Sequence, residues 1–286
     1  MALQEVERVL EAAAAGTPFQ IGTLQRTVAG MADAVSSGDA LLVQALEDSD
    51  GRYDLSRHMV NTAIFAIKIG QGADCRPEEL LWLGLAACLH DVGMVIVPKR
   101  ILDKPEALTD EETALVRRHP EKGFRILQGL GAEFEWLANV VLQEHERDDG
   151  SGYPRGLMGQ EIHEYAKIIG LADAYESLTH TRPYRSRREP FEVVKELMTS
   201  GRAKFPDRAL KGLIRGLSAF PVGSYVRLNS TEIARIVATN PAFPLRPVVE
   251  IAIGPKGEAL EPRRRVDLSA NTLLYITEAF SGRNPG

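Results

Sequence analysis

Cysteine is nearly absent: Cys75 and Cys88 are the only two in 286 residues. Two thiols in a chain this long do not make a disulfide framework, and their spacing is not that of a zinc–thiolate site. A reducing cytoplasm is the compartment this implies. Positive charge is in deficit as well, with a formal net charge of −5. That argues against general binding to duplex nucleic acid, which wants a broad basic surface. It leaves room for an anionic small substrate, because bound divalent cations reverse the local field. Long apolar runs are also missing. The longest, Leu80–Leu89, is too short to span a bilayer. Met1–Gly16 begins acidic and runs into alanines, without the basic start and apolar core of a signal peptide.

What is present reads as a globular chain, with 44% hydrophobic and 26% charged residues, long enough for one large domain and something smaller. Helical spacing dominates from the start, as in Leu3, Val6, Val9, Leu10 and again Leu42, Ala45, Leu46. Arg76-Pro77-Glu78-Glu79 is a helix start with proline in the first turn. Leu108-Thr109-Asp110-Glu111-Glu112 resembles a cap followed by acidic first-turn residues. Asp148–Gly159 holds four glycines and one proline in twelve residues, and is therefore a loop. Beyond Phe220-Pro221 the pattern changes to short strand-like segments: Tyr225–Leu228, Glu232–Val237, Pro247–Ile253 and Thr272–Thr277. Arg263-Arg264-Arg265 reads as a solvated charge run. The expected fold is mainly α: N-terminal helices over residues 1–50, a helical domain over 51–220, and a small β-rich unit over 221–286.

Chemistry concentrates in the helical part. Of six histidines, His58, His90, His119 and His145 stand beside carboxylates or at helix boundaries, while His163 and His180 have no such context and read as structural. Asp54 and His58 are four apart and share a helix face. His90-Asp91 ends an apolar helical run just before Gly93, and His119 precedes Pro120 at another boundary. Glu144-His145-Glu146 follows the apolar run Leu137–Leu142. Asp173 sits in a largely apolar segment, where a carboxylate needs a partner. Alone, His58 or His119 is more simply a hydrogen-bonded core residue, Asp173 serves equally well as a cap, and His90-Asp91 has a structural helix end as its alternative; together they point to a shared metal site. Nitrogen and oxygen donors without cysteine suit iron or manganese ahead of zinc. An adjacent His-Asp pair can let the carboxylate bridge two ions. Two ions roughly 3.5–4 Å apart activate a water and clamp phosphate oxygens for in-line hydrolysis.

The series His58-Met59-Val60-Asn61, His90-Asp91-Val92-Gly93, Ile101-Leu102-Asp103-Lys104-Pro105, His119 with Gly123, His145-Glu146-Arg147-Asp148-Asp149-Gly150-Ser151-Gly152-Tyr153-Pro154, Ala172-Asp173 and Arg182-Pro183-Tyr184-Arg185 resembles the HD-GYP family of the HD phosphohydrolase superfamily. The resemblance covers about Tyr53 to Arg185. It implies a helical catalytic domain that hydrolyses cyclic di-GMP to pGpG or on to GMP, with His90 and Asp91 at the catalytic centre. It implies metal ligation by His58, His90, Asp91, His119, His145 and Asp173. It also implies that Arg182 and Arg185 face the substrate phosphates, and that Gly152 and Tyr153 shape the loop beside the pocket. Two positions depart from the family pattern. Glu144 replaces a histidine, and as an oxygen donor it alters the site's charge and metal preference rather than abolishing it. Met94 stands where lysine is common, which removes an ammonium from the substrate's surroundings. Asp54 lies where some relatives hold a third metal, so two ions, or three, are expected. Two other functions stay open: a metal- or nucleotide-binding regulatory module acting through a signalling-protein partner, and a phosphohydrolase of another nucleotide. A homodimer is compatible with either.

Overall fold

A computed structural model describes residues 1–46, 54–182, 185–217, 220, 222–240 and 243–280. The helix α4, Leu55–Gly72, is its axis. Buried residues occur all around it, from Ser56 through His58, Phe65 and Ile69 to Gly70, as expected of a helix surrounded by others. The helices α1 (Ala2–Ala15), α2 (Gly22–Ser37) and α3 (Ala40–Leu46) pack against it. They bury Val6, Val9 and Ala13 from α1, and Leu24, Val28, Met31 and Val35 from α2. Helix α1 stops at Gly16, which takes the left-handed conformation that glycine adopts without strain.

The helix α5, Pro77–Ala87, starts as its sequence suggests: the Arg76 amide donates to the Glu79 carboxylate at 2.7 Å. By composition the stretch Pro77–Ile96 is long and apolar enough to cross a membrane. Here α5 ends at Ala87, and most of that stretch is buried against neighbouring helices, so its apolarity is that of a core element. A short 3-10 turn, Val92–Ile96, follows. Then come α6 (Lys99–Leu102), α7 (Asp110–Val116), α8 (His119–Gln128), α9 (Glu135–Gln143), α10 (Glu164–Thr179), α11 (Pro190–Thr199) and α12 (Asp207–Gly216). Helix α7 carries a complete capping box: Thr109 and Glu112 each bond the other's backbone amide through their side chains, at 2.9 and 3.3 Å.

The C-terminal sheet is antiparallel with order β4-β3-β2-β1-β5. Strands β1 (Tyr225–Leu228), β2 (Ile233–Ala238) and β3 (Val248–Ile253) fall on the expected segments. Strand β5 is Ile276–Phe280, so the expected segment at Thr272–Thr277 is displaced, and Leu273 is in fact an exposed loop residue. Strand β4, Ala259–Asp267, contains the three arginines. Arg263 pairs with Glu250 at 3.2 Å and Arg264 with Glu232 at 2.7 Å. The run is solvated, but it belongs to the sheet.

The turn after His90-Asp91 touches α8 so closely that a Cβ on Gly93 would lie 1.9 Å from the His119 carbonyl oxygen and 2.6 Å from the Gly123 nitrogen. Only a backbone without a side chain lets these two elements meet. Gly93→Ala is therefore expected to lower unfolding stability by about 3 kcal/mol through overpacking, read as a fall in the denaturant midpoint. An unchanged midpoint would contradict this packing.

Candidate metal centre

Five elements deliver the donors. His58 projects from α4, His90 and Asp91 from the turn after α5, His119 from the start of α8, Glu144 and His145 from the end of α9, and Asp173 from the middle of α10. The side chains fall into two groups, His58 with His90 and Asp173, and Asp91 with His119, Glu144 and His145. Within each group the donor atoms lie within 4.8 Å of one another.

Asp91 connects the groups. Its Oδ2 lies 3.5 Å from His58 Nε2 and 3.6 Å from His90 Nε2, while its Oδ1 lies 3.2 Å from His119 Nε2. Glu144 does the same from the other side, with Oε2 at 3.9 Å from His90 Nε2 and Oε1 at 3.4 Å from His119 Nε2. The glutamate that departs from the family pattern thus faces both groups. Asp173 Oδ1 closes the first group at 3.3 Å from His58 Nε2.

The protein fixes which ring nitrogen each histidine presents. His90 Nδ1 donates to the Ala87 carbonyl at 2.8 Å, and His119 Nδ1 to the Val116 carbonyl at 2.7 Å. His58 Nδ1 donates to Glu176 at 2.6 Å. In all three Nε2 is the nitrogen left facing the cluster, the one free to act as a metal ligand. The donor set also fits a cation by what it lacks otherwise. His90 Nε2 and both Glu144 carboxylate oxygens are buried without a hydrogen-bond partner, a costly arrangement unless a cation satisfies them. His145 Nε2 lies 3.0 Å from His119 Nε2, close enough for the two nitrogens to share one proton or face one cation.

Burial would raise the Asp91 and Asp173 carboxyls, but the surrounding imidazoles outweigh it and hold both well below the ordinary carboxylate range. For Glu144 burial dominates and its carboxyl is raised. Burial and the neighbouring His119 depress His145 to about 3. Burial would lower His119 too, yet Asp91 and Glu144 lift it to about 9.

The cluster opens into a cleft of about 280 Å³. Tyr153 forms one wall, its ring stacked on His145 at 4.7 Å. Gly152 lets the loop pass the helix end closely, since a Cβ there would lie 2.5 Å from the His145 carbonyl oxygen. The buried Glu146 holds the same loop, accepting from the amides of Arg155 at 2.7 Å and Leu157 at 3.0 Å. Met94, Ile101, Leu102, Leu108 and Val116 make an apolar side. Arg182 lines the cleft, but its Nη2 donates to Glu176 at 2.8 Å and Ser177 Oγ at 3.2 Å. Arg185 donates to the Ser177 carbonyl, while Pro183 and Tyr184 lie outside the described residues.

Asp54 is not brought to the cluster. It is exposed and caps α4, accepting from the Arg57 amide at 2.9 Å. Sequence reasoning missed Glu176, whose buried carboxylate orients His58 and is held down to about 2, burial being outweighed by His58 and Arg182. Its signal was the three-residue spacing from Asp173 on one helix. His163 caps α10 through Nδ1, and His180 bonds the Ala45 carbonyl; neither belongs to the two donor groups. Asp91→Asn is expected to weaken metal affinity by at least about tenfold. Asp54→Ala should leave metal content unchanged and cost about 1 kcal/mol of stability through the lost cap. Elemental analysis and thermal unfolding of both variants check this. Metal loss in the Asp54 variant would place that residue in the site.

The family model described as "HD domain" matches residues 38–210, and one described as "KOW domain associated with HD domain" matches residues 225–284. The chain is 34% identical to the cyclic di-GMP phosphodiesterase PA4108 of Pseudomonas aeruginosa, over 74% of this chain and 51% of that protein. It is 37% identical to the 3'3'-cGAMP-specific phosphodiesterase 3 of Vibrio cholerae, over 45% of this chain and 28% of that one. The chain thus spans about half the length of the first relative and less of the second. Its fold is similar to that of Bd1817, an HDG"Y"P protein from Bdellovibrio bacteriovorus, with a TM-score of 0.60, 22% identity, and coverage of 74% of this chain and 67% of that one. With its model matched across most of the helical part and the donors in place, the chain belongs to the HD domain family and carries the HD-GYP series of motifs.

Proposed function

We propose that this protein hydrolyses a phosphodiester bond of cyclic di-GMP, yielding pGpG or going on to GMP, at two divalent ions of iron or manganese. The carrying observation is Asp91, one carboxylate whose two oxygens face two donor groups at the floor of an open cleft. The names of the relatives support a cyclic dinucleotide as the substrate class. His58, His90 and Asp173 would hold one ion, and His119, His145 and Glu144 the other, with Asp91 between them. Such ions supply an activated water and offset the charge that builds on phosphoryl oxygens.

The chain's own groups do the rest. Three backbone or carboxylate acceptors lock His58, His90 and His119 in the required tautomer, so the donors need no rearrangement. Burial and the nearby carboxylates raise the Tyr153 hydroxyl, which keeps its proton at working pH and can donate toward the cleft. The apolar side at Met94, Ile101 and Leu108 gives a nucleobase a surface to pack on and excludes water there.

One observation favours a second reading, a regulatory module that binds nucleotide without turning it over. Met94 is packed into a small apolar cluster with Val97 and Ile101, so this wall offers no ammonium to a phosphate or leaving group.

Protein loaded with iron or manganese is expected to hydrolyse cyclic di-GMP. Chelation should abolish turnover, metal should restore it, and Asp91→Ala should reduce it by at least about a thousandfold. Fully metallated wild-type protein that binds the nucleotide without product would establish the regulatory reading instead. Preference for a linear mononucleotide in a substrate panel would overturn the substrate assignment.

A further inference from the structure

A cyclic dinucleotide carries two phosphodiesters, and the metal cluster can receive only one. Three carboxylates, from Asp91, Glu144 and Asp173, face the donor groups. Two divalent ions leave that set with about one net positive charge, enough for a single phosphodiester. Arg182 adds nothing to this balance, because its charge is matched by Glu176 at 2.8 Å. Among the described residues lining the cleft, Arg182 is also the only arginine or lysine. The outer phosphodiester therefore needs a cation from the rim.

Arg117 is placed to supply it. It follows Val116, whose side chain lines the cleft and whose carbonyl fixes His119. The Arg117 guanidinium lies over the Tyr153 ring, 5.1 Å from its centroid. His145 is stacked on the same ring at 4.7 Å, so both groups are held by Tyr153. Arg117 is exposed and, among the described residues, forms no ion pair. Cation–π stacking restrains the planar group while leaving its N–H edges available. A stacked guanidinium presenting a free fork is suited to bidentate capture of a phosphodiester.

We infer that Arg117, held on Tyr153, is the rim residue that binds the second phosphodiester of a cyclic dinucleotide. The inference rests on the function proposed above and adds to it a division of labour. The metal floor handles the phosphate that reacts, and the Arg117–Tyr153 stack reads the one that does not. Arg117 consequently selects substrates with two phosphates over those with one.

The test compares cyclic di-GMP with bis(4-nitrophenyl) phosphate, a diester with a single phosphate, on metal-loaded wild type, Arg117→Ala and Arg117→Lys. Arg117→Ala should raise KM for cyclic di-GMP about tenfold, the worth of one charge-assisted hydrogen bond, with kcat nearly unchanged. KM for the simple diester should not move. Arg117→Lys should recover part of the loss, and the dependence of KM on salt should be shallower in the alanine variant. An unchanged KM for cyclic di-GMP, or an equal rise for both substrates, overturns the role of Arg117 while leaving the proposed function standing. Wild-type protein that cleaves the simple diester but not cyclic di-GMP removes the proposed function, and this inference with it. Because Arg117 is exposed, unfolding midpoints of all three proteins should coincide, which separates a binding effect from misfolding.

Discussion

The carboxylate of Asp91 is the constraint around which the helical part is arranged. It is buried at 6% exposure and faces His58, His90 and His119 at 3.2–3.6 Å. Each of those histidines comes from a different element, so the helices that carry them must converge on one point. Burying such a charge is unfavourable unless it is matched. The imidazoles and the cations they would hold are the matching charge.

The packing around this point is correspondingly close. Gly93 removes the side chain between the His90-Asp91 turn and α8. Behind the donors stands a second layer of fixed acceptors: the carbonyls of Ala87 and Val116 and the carboxylate of Glu176. This layer turns three flexible rings into preset ligands. The same economy binds Arg182 to Glu176, so a residue that the family resemblance assigns to the substrate is here partly committed to supporting His58.

Much of the centre was legible because several of its donors sit at helix boundaries with distinctive neighbours, such as Gly93 after Asp91 and Pro120 after His119. What escaped did so for identifiable reasons. Asp54 precedes a helix, and an aspartate there satisfies a cap as readily as it would a metal; four-residue spacing to His58 does not separate the two. Glu176 looks like ordinary helix surface until the fold brings His58 against it from 118 residues away. Strand β4 has no apolar alternation, because as an edge strand it is held by backbone pairing to β3 and by ion pairs rather than by a buried face. The expected segment Thr272–Thr277 meets β5 only at Ile276-Thr277, since the exposed Leu273 lies in the loop before it.

The two hydrogen bonds that Glu146 accepts from Arg155 and Leu157 have a consequence for the energetics of ligand capture. A loop with four glycines would ordinarily sample many conformations, and a ligand that ordered it would lose affinity to that entropy. Because a buried carboxylate next to His145 already holds the loop's amides, its ordering belongs to folding. The wall formed by Tyr153 is thus in place before any nucleotide arrives, and binding beneath it surrenders little further freedom.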